Sequence, residues 1–402
     1  MYPSFYEFFK YTFGIELEIF RLVQTFGFFM VLAFLSAAVY IGRAFEFLEK
    51  NQELSGKVET ETVGVGPTIL GMLGNLLFGF AIGYKFVYIL SNLNRFTTER
   101  EAILFSYDGS ILGGIALALI FAGWYYYERN KQKLPEPQKV ERMVMPSERV
   151  GEIISVAAIF GIIGAKLADA FDNWDSFVAD PIGTIFALSG LTYYGGLILA
   201  AVAVIVYGFR KNINILKFMD VAAPSLMVSY AVGRLGCQFS GDGDWGIPIK
   251  GPNRYIAETY EYIKPSWLPD WLWSQSYPHN VANDGVLIPG CEEVYCRQLI
   301  PEVFPTPIYE VAMCMAIFVF LVVLWKKLKT PGILFGVYLI VNGIERYIIE
   351  IIRVNDRKEF LGLNWSLSQY IAGGLVIAGI LLIAGLLANK NRIKPYKWAV
   401  ST

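Results

Sequence analysis

The chain has 402 residues, of which 55% are hydrophobic and 17% charged, with 34 Lys and Arg against 35 Asp and Glu and a single histidine. Soluble domains carry about 25% charged residues, so this balance excludes an ordinary soluble domain and points to an all-α integral membrane protein. A net charge of −1 supplies no basic field for nucleic acid, and no nucleic-acid partner is expected.

A transmembrane helix needs about 20 mostly apolar residues. The segments 20–43, 68–91, 109–127, 152–169, 185–208, 218–236, 307–326, 331–350 and 367–388 meet that need, which predicts a polytopic bundle of about nine transmembrane helices. The first is preceded by Glu7, Glu16 and Glu18 rather than by basic residues and exceeds a signal h-region in length, so it is expected to stay as a helix. Basic residues collect at 129–149, after the fifth span at Arg210, Lys211 and Lys217, after the seventh at Lys326, Lys327 and Lys329, and at the C-terminus. The positive-inside rule places these in the cytoplasm and the N-terminus outside. The segment 237–306, with Trp267, Trp271 and Trp273, then becomes a small external head at the interfacial belt. Cys291 and Cys296 in it either pair in an oxidising compartment or stand as two small buried residues. The expected division is 1–149, an N-terminal membrane region with extra spans; 150–236, a membrane core; 237–306, the head; and 307–402, a C-terminal membrane core with a basic tail.

Charge is concentrated where apolar spans end. The run Gly233-Arg234-Leu235-Gly236-Cys237-Gln238-Phe239-Ser240-Gly241-Asp242-Gly243-Asp244-Trp245-Gly246 puts an arginine and two carboxylates at the end of the sixth span. An ionisable group there costs roughly 2 to 3 kcal/mol unless solvated or paired, which marks a functional site. In the eighth span Arg346, Glu350 and Arg353 fall at i, i+4 and i+7, one helix face. A self-paired ladder is the plain reading; in hydrocarbon, two arginines sharing one glutamate instead leave positive charge for an anion, and phosphate suits the guanidinium fork. Tyr193-Tyr194-Gly195-Gly196-Leu197 opens the fifth apolar stretch, where a glycine pair allows close helix approach. Phe304-Pro305-Thr306-Pro307-Ile308-Tyr309-Glu310 starts the seventh with a carboxylate that suits the helix dipole. Lys166 and Asp220 are further charges inside spans, and His279 lies in the head.

These four motifs, in this order, resemble the prolipoprotein diacylglyceryl transferase family of bacterial integral membrane enzymes. Asp180-Pro181, Asp220 with Ala223-Pro224, and Ser368-Gln369 add to the similarity, which covers about residues 150 to 375 and the first span. The resemblance implies transfer of the diacylglyceryl group of phosphatidylglycerol to the thiol of a prolipoprotein lipobox cysteine, with release of glycerol-1-phosphate and no metal or cofactor. It implies a bacterial cytoplasmic (inner) membrane location with the active face outward, on the periplasmic side, and the C-terminus in the cytoplasm. Phosphatidylglycerol, the signal-peptide lipobox and membrane lipids are the expected partners.

Carried onto this chain, the resemblance makes Arg234 and Arg346 a phosphate clamp and Glu350 the group that orients an arginine or assists proton transfer. Asp242 stands where the family has glutamate, and Arg353, Glu310, Gly195 and Gly196 join in binding substrate. The thiol must lose its proton, because the thiolate is the nucleophile. Several positions depart from the family: Tyr194 and Phe304 stand where it has histidines, Cys237 where it has asparagine and Phe26 where it has tyrosine, and the glycine-rich run is one residue longer. Tyr194 as a relay and His279 as a base, its ordinary pKa near about 6.5, are the two expected routes for the proton. Two other readings remain: a lipid or anion transporter, in which intramembrane charge marks a path, and an inactive relative that binds lipoprotein precursors.

Overall fold

The computed structural model describes residues 1–187, 190, 192–251, 260–353, 357–360 and 363–397. Part of the expected head (252–259), Leu191 and the end of the basic tail lie outside the described residues, as does the Tyr193 side chain. The described chain is mainly helical and divides into two compact units, Met1–Glu16 with Leu22–Ser55 and Gly208–Thr402, and Leu17–Arg21 with Gly56–Tyr207. The principal helices are α1 (Phe5–Phe13), α2 (Thr25–Lys50), α3 (Ile69–Ser91), α4 (Ile111–Lys131), α5 (Val150–Asp172), α6 (Tyr193–Arg210), α7 (Ile215–Ser240), α8 (Thr306–Trp325), α9 (Ile333–Glu350) and α10 (Leu367–Ala388).

All nine apolar stretches are helical in whole or in part. Among the described residues, seven helices are long and apolar enough to cross a membrane, so the chain is a multi-pass membrane protein. The expected count of nine falls to seven by these measures for two physical reasons. The apolar helix at Tyr194–Arg210 is short, and α9 carries Glu345, Arg346 and Glu350 within its 18 residues.

In the first unit, α7 packs against α2, α8 and α9, and α9 packs against α10. Local chemistry sets the helix ends. The Asn214 side chain accepts from the Lys217 N–H to start α7, which stops at Gly241 in the left-handed region (φ 66°). Pro307 occupies the first turn of α8, where no intrahelical N–H is needed. Ser366 and Gln369 form a capping box on α10. Helices α9 and α10 approach closely at Gly343, where a Cβ would lie 2.7 Å from the Ala372 carbonyl oxygen.

The described part of the segment between α7 and α8 has only short elements: a helical turn at Asp270–Trp273, two-residue ribbons and a disulfide joining Cys291 to Cys296. Its apolar cluster is Trp245, Tyr277, Leu299 and Val303, with Met1 packed against it.

At the Ile215 end of α7, Asp220 is fully buried and ties three segments together. Its carboxylate accepts from the Gly332 N–H (2.8 Å) and the Phe335 N–H (3.0 Å) at the start of α9, and from the Tyr396 hydroxyl (2.8 Å) in the C-terminal segment. Beside it Lys217 pairs with buried Glu53 at 2.5 Å. Asp220 is thus a helix cap and a tail anchor.

In the second unit, strands β1 (Lys57–Val63) and β2 (Gln138–Val144) pair antiparallel, with Lys57 opposite Val144 and Val63 opposite Gln138. Helices α3 and α4, which lie between them in sequence, pack on each other. The buried Arg149 side chain pairs with Glu59 at 2.9 Å. The Gly195-Gly196 pair seats α6 on α5, since a Cβ on Gly195 would stand 2.2 Å from the Ala168 Cβ and one on Gly196 would stand 2.8 Å from the Gly161 carbonyl oxygen. Lys166 donates to the Thr184 carbonyl oxygen at 3.4 Å.

Replacing Asp220 with Ala strands two helix N–H groups and a buried tyrosine hydroxyl. The expected loss is roughly 2 to 4 kcal/mol, read as a lowered thermal midpoint of the detergent-purified chain; an unchanged midpoint would remove Asp220 from the helix-capping role.

Candidate active site

The Ser240 end of α7, the Thr306 end of α8, the Glu350 end of α9 and the start of α10 bring their polar residues together within the first unit. Glu310, one turn into α8, is the centre. It is 0% exposed, accepts a hydrogen bond from the Tyr230 hydroxyl at 2.8 Å and from Arg346 Nη1 at 3.0 Å through Oε1, and pairs through Oε2 with Arg234 Nε at 3.0 Å. Tyr230 precedes Arg234 by one turn of α7, and the Arg234 guanidinium lies 5.1 Å from its ring centroid.

A second carboxylate, Asp244, pairs with both Arg234 and Arg353. Two features hold it there. Its carbonyl oxygen accepts from the Thr306 hydroxyl at 2.7 Å, and the neighbouring Gly246 forms an antiparallel bridge with Arg353. Gly246 has no room for a side chain: a Cβ would meet the Ile352 carbonyl oxygen at 2.7 Å and the Phe304 Cβ at 2.9 Å. The third carboxylate, Glu350, pairs with Arg346 at 3.5 Å and accepts from the Ser366 hydroxyl at 2.8 Å. Arg346 Nη2 also reaches the Ser368 hydroxyl at 3.4 Å. Three guanidiniums therefore meet three carboxylates in a largely buried cluster.

The ladder expected on α9 is incomplete. The helix ends at Glu350, so Arg353 leaves the helical face and turns to Asp244 and, at 3.9 Å, to Glu310. Arg346 and Arg353 do not share Glu350. The protein itself supplies the anions that the sequence left open, and any incoming anion must compete with Glu310 and Asp244 for the same guanidinium donors.

Beyond the helix end, burial favours the neutral form of Asp242 and the nearby Asp244 charge adds to this, raising its pKa above the usual carboxylate range. Burial acts on Asp244 in the same direction, but the Arg234 and Arg353 guanidiniums outweigh it and hold the pKa down at about 2. Asp242 accepts from the Asp244 N–H at 3.3 Å. Cys237 is buried beside both, its sulfur 3.6 Å from Asp244 Oδ2 and 3.7 Å from Arg234 Nη1. Cys237, Asp242 and Asp244 offer ligand atoms within 4.8 Å of one another, yet a cation there would face the Arg234 guanidinium that already holds Asp244.

Of the residues singled out from sequence, Arg234, Arg346, Glu350, Arg353 and Glu310 meet in one cluster, with Asp242 at its edge. Tyr194, Gly195 and Gly196 belong to the second unit, where the glycines serve helix packing. Phe304 is buried, with its ring against Trp273 and Tyr262 at centroid distances of 5.1 and 5.4 Å. His279 Nδ1 faces the Tyr295 carbonyl oxygen at 2.8 Å. A carbonyl only accepts, so Nδ1 carries the proton and Nε2 is the acceptor nitrogen. The His279 ring stacks on Tyr11 and lines an open cavity of about 350 Å³ with Met1, Tyr2, Gln238 and Phe239. Sequence reasoning counted Asp244 among the charges of the glycine-rich run without giving it a role, and passed over Tyr230 and Ser366. Tyr230 had a legible signal, its four-residue spacing from Arg234 on one helix.

Glu310→Ala removes the buried carboxylate that Arg234 and Arg346 share, leaving them Asp244 and Glu350 alone, and a loss of about 3 kcal/mol is expected in thermal unfolding. The depressed pKa of Asp244 fixes a sign. Its stabilisation is present above about pH 4, the ordinary carboxylate range, and is lost as pH falls toward about 2. Unfolding of Asp244→Asn measured against pH should lack that acid-sensitive component.

A family model described as prolipoprotein diacylglyceryl transferase matches residues 114–385. The phosphatidylglycerol--prolipoprotein diacylglyceryl transferases of Streptococcus pyogenes serotype M5 (strain Manfredo) and serotype M49 (strain NZ131) are each 27% identical to this chain over 277 residues, 68% of this chain and 87% of theirs. The protein of S. pyogenes serotype M1 is similar to the same degree. With a match spanning more than half of its length, and with the arginine motifs of that match gathered around one buried carboxylate, the chain belongs to the prolipoprotein diacylglyceryl transferase family of membrane enzymes.

Proposed function

We propose that the enzyme transfers the diacylglyceryl group of phosphatidylglycerol to the thiol of a lipobox cysteine in a prolipoprotein and releases glycerol-1-phosphate. The observation that carries this reading is the pairing of Arg234 and Arg346 on one buried carboxylate, Glu310. Such a pair is a preorganised anion site: a phosphate that replaces the carboxylate contacts finds donors already aimed and largely stripped of water. The names of the relatives supply the lipid and the acceptor, and the reading extends them to this chain.

In this reading the thiolate sulfur attacks the glyceryl carbon that bears the phosphate ester, a C–S bond forms and the C–O bond to phosphate breaks. Negative charge grows on the departing phosphate oxygen, where Arg234 and Arg346 stabilise it and Arg353 adds to the field. Glu350 fixes Arg346 through their ion pair and is itself fixed by Ser366. Asp242 is the second carboxylate of the glycine-rich run. His279 takes the thiol proton at Nε2. In this reading the site faces outward from the bacterial inner membrane, with the N-terminus outside and the C-terminus in the cytoplasm, which the distribution of basic loops supports. Gathering of charge at one end of α7 and α9 favours a transferase over a carrier, which calls for sites at mid-membrane on broken helices.

The test is complementation. In a bacterium depleted of its own transferase, this chain should restore lipid labelling of a reporter lipoprotein, and no labelling despite membrane insertion would refute the reading. Arg234→Ala and Arg346→Ala should each lower labelling by at least about a hundredfold, the scale of losing a transition-state donor. In His279→Ala turnover should fall steeply, and unchanged turnover would pass the proton to Asp242.

A further inference from the structure

Glu345 precedes Arg346 on α9 and has no place in the cluster described above. It is 3% exposed, and neither of its carboxylate oxygens has a hydrogen-bond partner among the described residues. Its buried neighbours differ. Glu310 is held by Tyr230 and two arginines, and Glu350 by Ser366 and Arg346.

The groups that act electrostatically on Glu345 come from each element packed around it. Glu310 of α8 opposes a negative charge there, while Arg346 of its own helix, Arg234 of α7 and Arg353 favour one. Cys314 of α8 and Tyr230 of α7 are the further titratable groups coupled to it. Helix α10, packed along α9, has Tyr370 as its single ionisable residue. Among the described residues no donor reaches the carboxylate itself, and an ion buried without donors costs several kcal/mol more than the neutral acid.

Charge counting gives this isolation a consequence. Arg234, Arg346 and Arg353 are already matched by Glu310, Glu350 and Asp244. A phosphate diester adds one negative charge to this enclosure, and an ionised Glu345 would add a second. We propose that Glu345 is a proton-operated gate on anion binding, with the arginine cluster taking a phosphate diester while Glu345 is a neutral acid and releasing it when that acid ionises. The proton exchanges with water, and no bond of the ligand is made or broken in the step. Glu345 is a positioning residue acting through Arg346 and Glu310, and only the choice of phosphate ligand rests on the transferase reading.

The sign follows from linkage: raising pH ionises Glu345 and weakens anion affinity, so binding takes up a proton. The test uses the full chain in detergent and a soluble short-chain phosphatidylglycerol, whose phosphodiester keeps one charge throughout, titrated from about pH 6 to about pH 10. Wild-type affinity should fall about tenfold per pH unit beyond a break, and Glu345→Gln should bind without that break. Inorganic phosphate in a parallel titration separates recognition of a free anion from recognition of the lipid. Proton uptake on lipid binding, measured calorimetrically in buffers of different ionisation enthalpy, checks the unmodified protein and keeps the inference testable where the variant fails to fold. Identical pH profiles in wild type and variant, or no proton uptake by wild type, would overturn the gate. Absence of lipid binding by wild type at every pH would overturn the phosphate-site reading instead, and the gate with it.

Discussion

One carboxylate beyond the reach of water governs the arrangement of the candidate site. An ionised glutamate at the position of Glu310 is tolerable only when cations and donors surround it, because its desolvation is not recovered in any other way. Arg234 must therefore come from α7, Arg346 from α9, and Tyr230 must turn its hydroxyl inward. Each partner then needs its own second contact: Asp244 for Arg234, Glu350 for Arg346, Ser366 for Glu350. The glycine-rich run and the start of α10 are drawn in by this sequence of obligations. Electrostatics of this kind defines geometry more than it adds stability, since apolar packing of equal volume often does as well.

A matching device operates at the other end of the same helices. Asp220 caps α9 from α7, and Tyr396 closes over it. With a buried carboxylate fixing each end, α7 and α9 have little freedom to slide past one another, and the two key arginines keep their separation. Such an arrangement suits the proposed reaction, in which donors must already point at a phosphate as charge develops on it. It also gives different duties to two acids of similar burial: Asp220 fixes backbone, whereas Glu310 fixes the side chains of two arginines.

Much of this was legible from residue order. Apolar runs of membrane length located the helices, and charge at their ends located Arg234, Arg346, Glu350 and Arg353, because an arginine in such a setting has few structural excuses. The pairing was not legible. Helical spacing put Arg353 on the face of Glu350, but a bridge to Gly246, more than a hundred residues away in sequence, takes it to Asp244. Glu310 read as a dipole-friendly first-turn acid, since nothing local reveals that two distant arginines converge on it. Asp242 and Asp244 are indistinguishable by composition; which of them meets the guanidiniums depends on the turn of one glycine-rich loop. The Gly195-Gly196 pair was ambiguous for the opposite reason, because close packing and lipid binding call for the same absent side chain.

The β1–β2 ribbon closes a long loop of the chain. Lys57 lies opposite Val144, so the chain departs and returns at a single point and everything between them, helices α3 and α4 included, is a closed excursion. The principal helices of this excursion, α3 and α4, pack on each other, and the ribbon at its base holds the two ends side by side. A change of length within the excursion leaves those ends where the ribbon fixes them, and with them the path of the chain toward the arginines downstream.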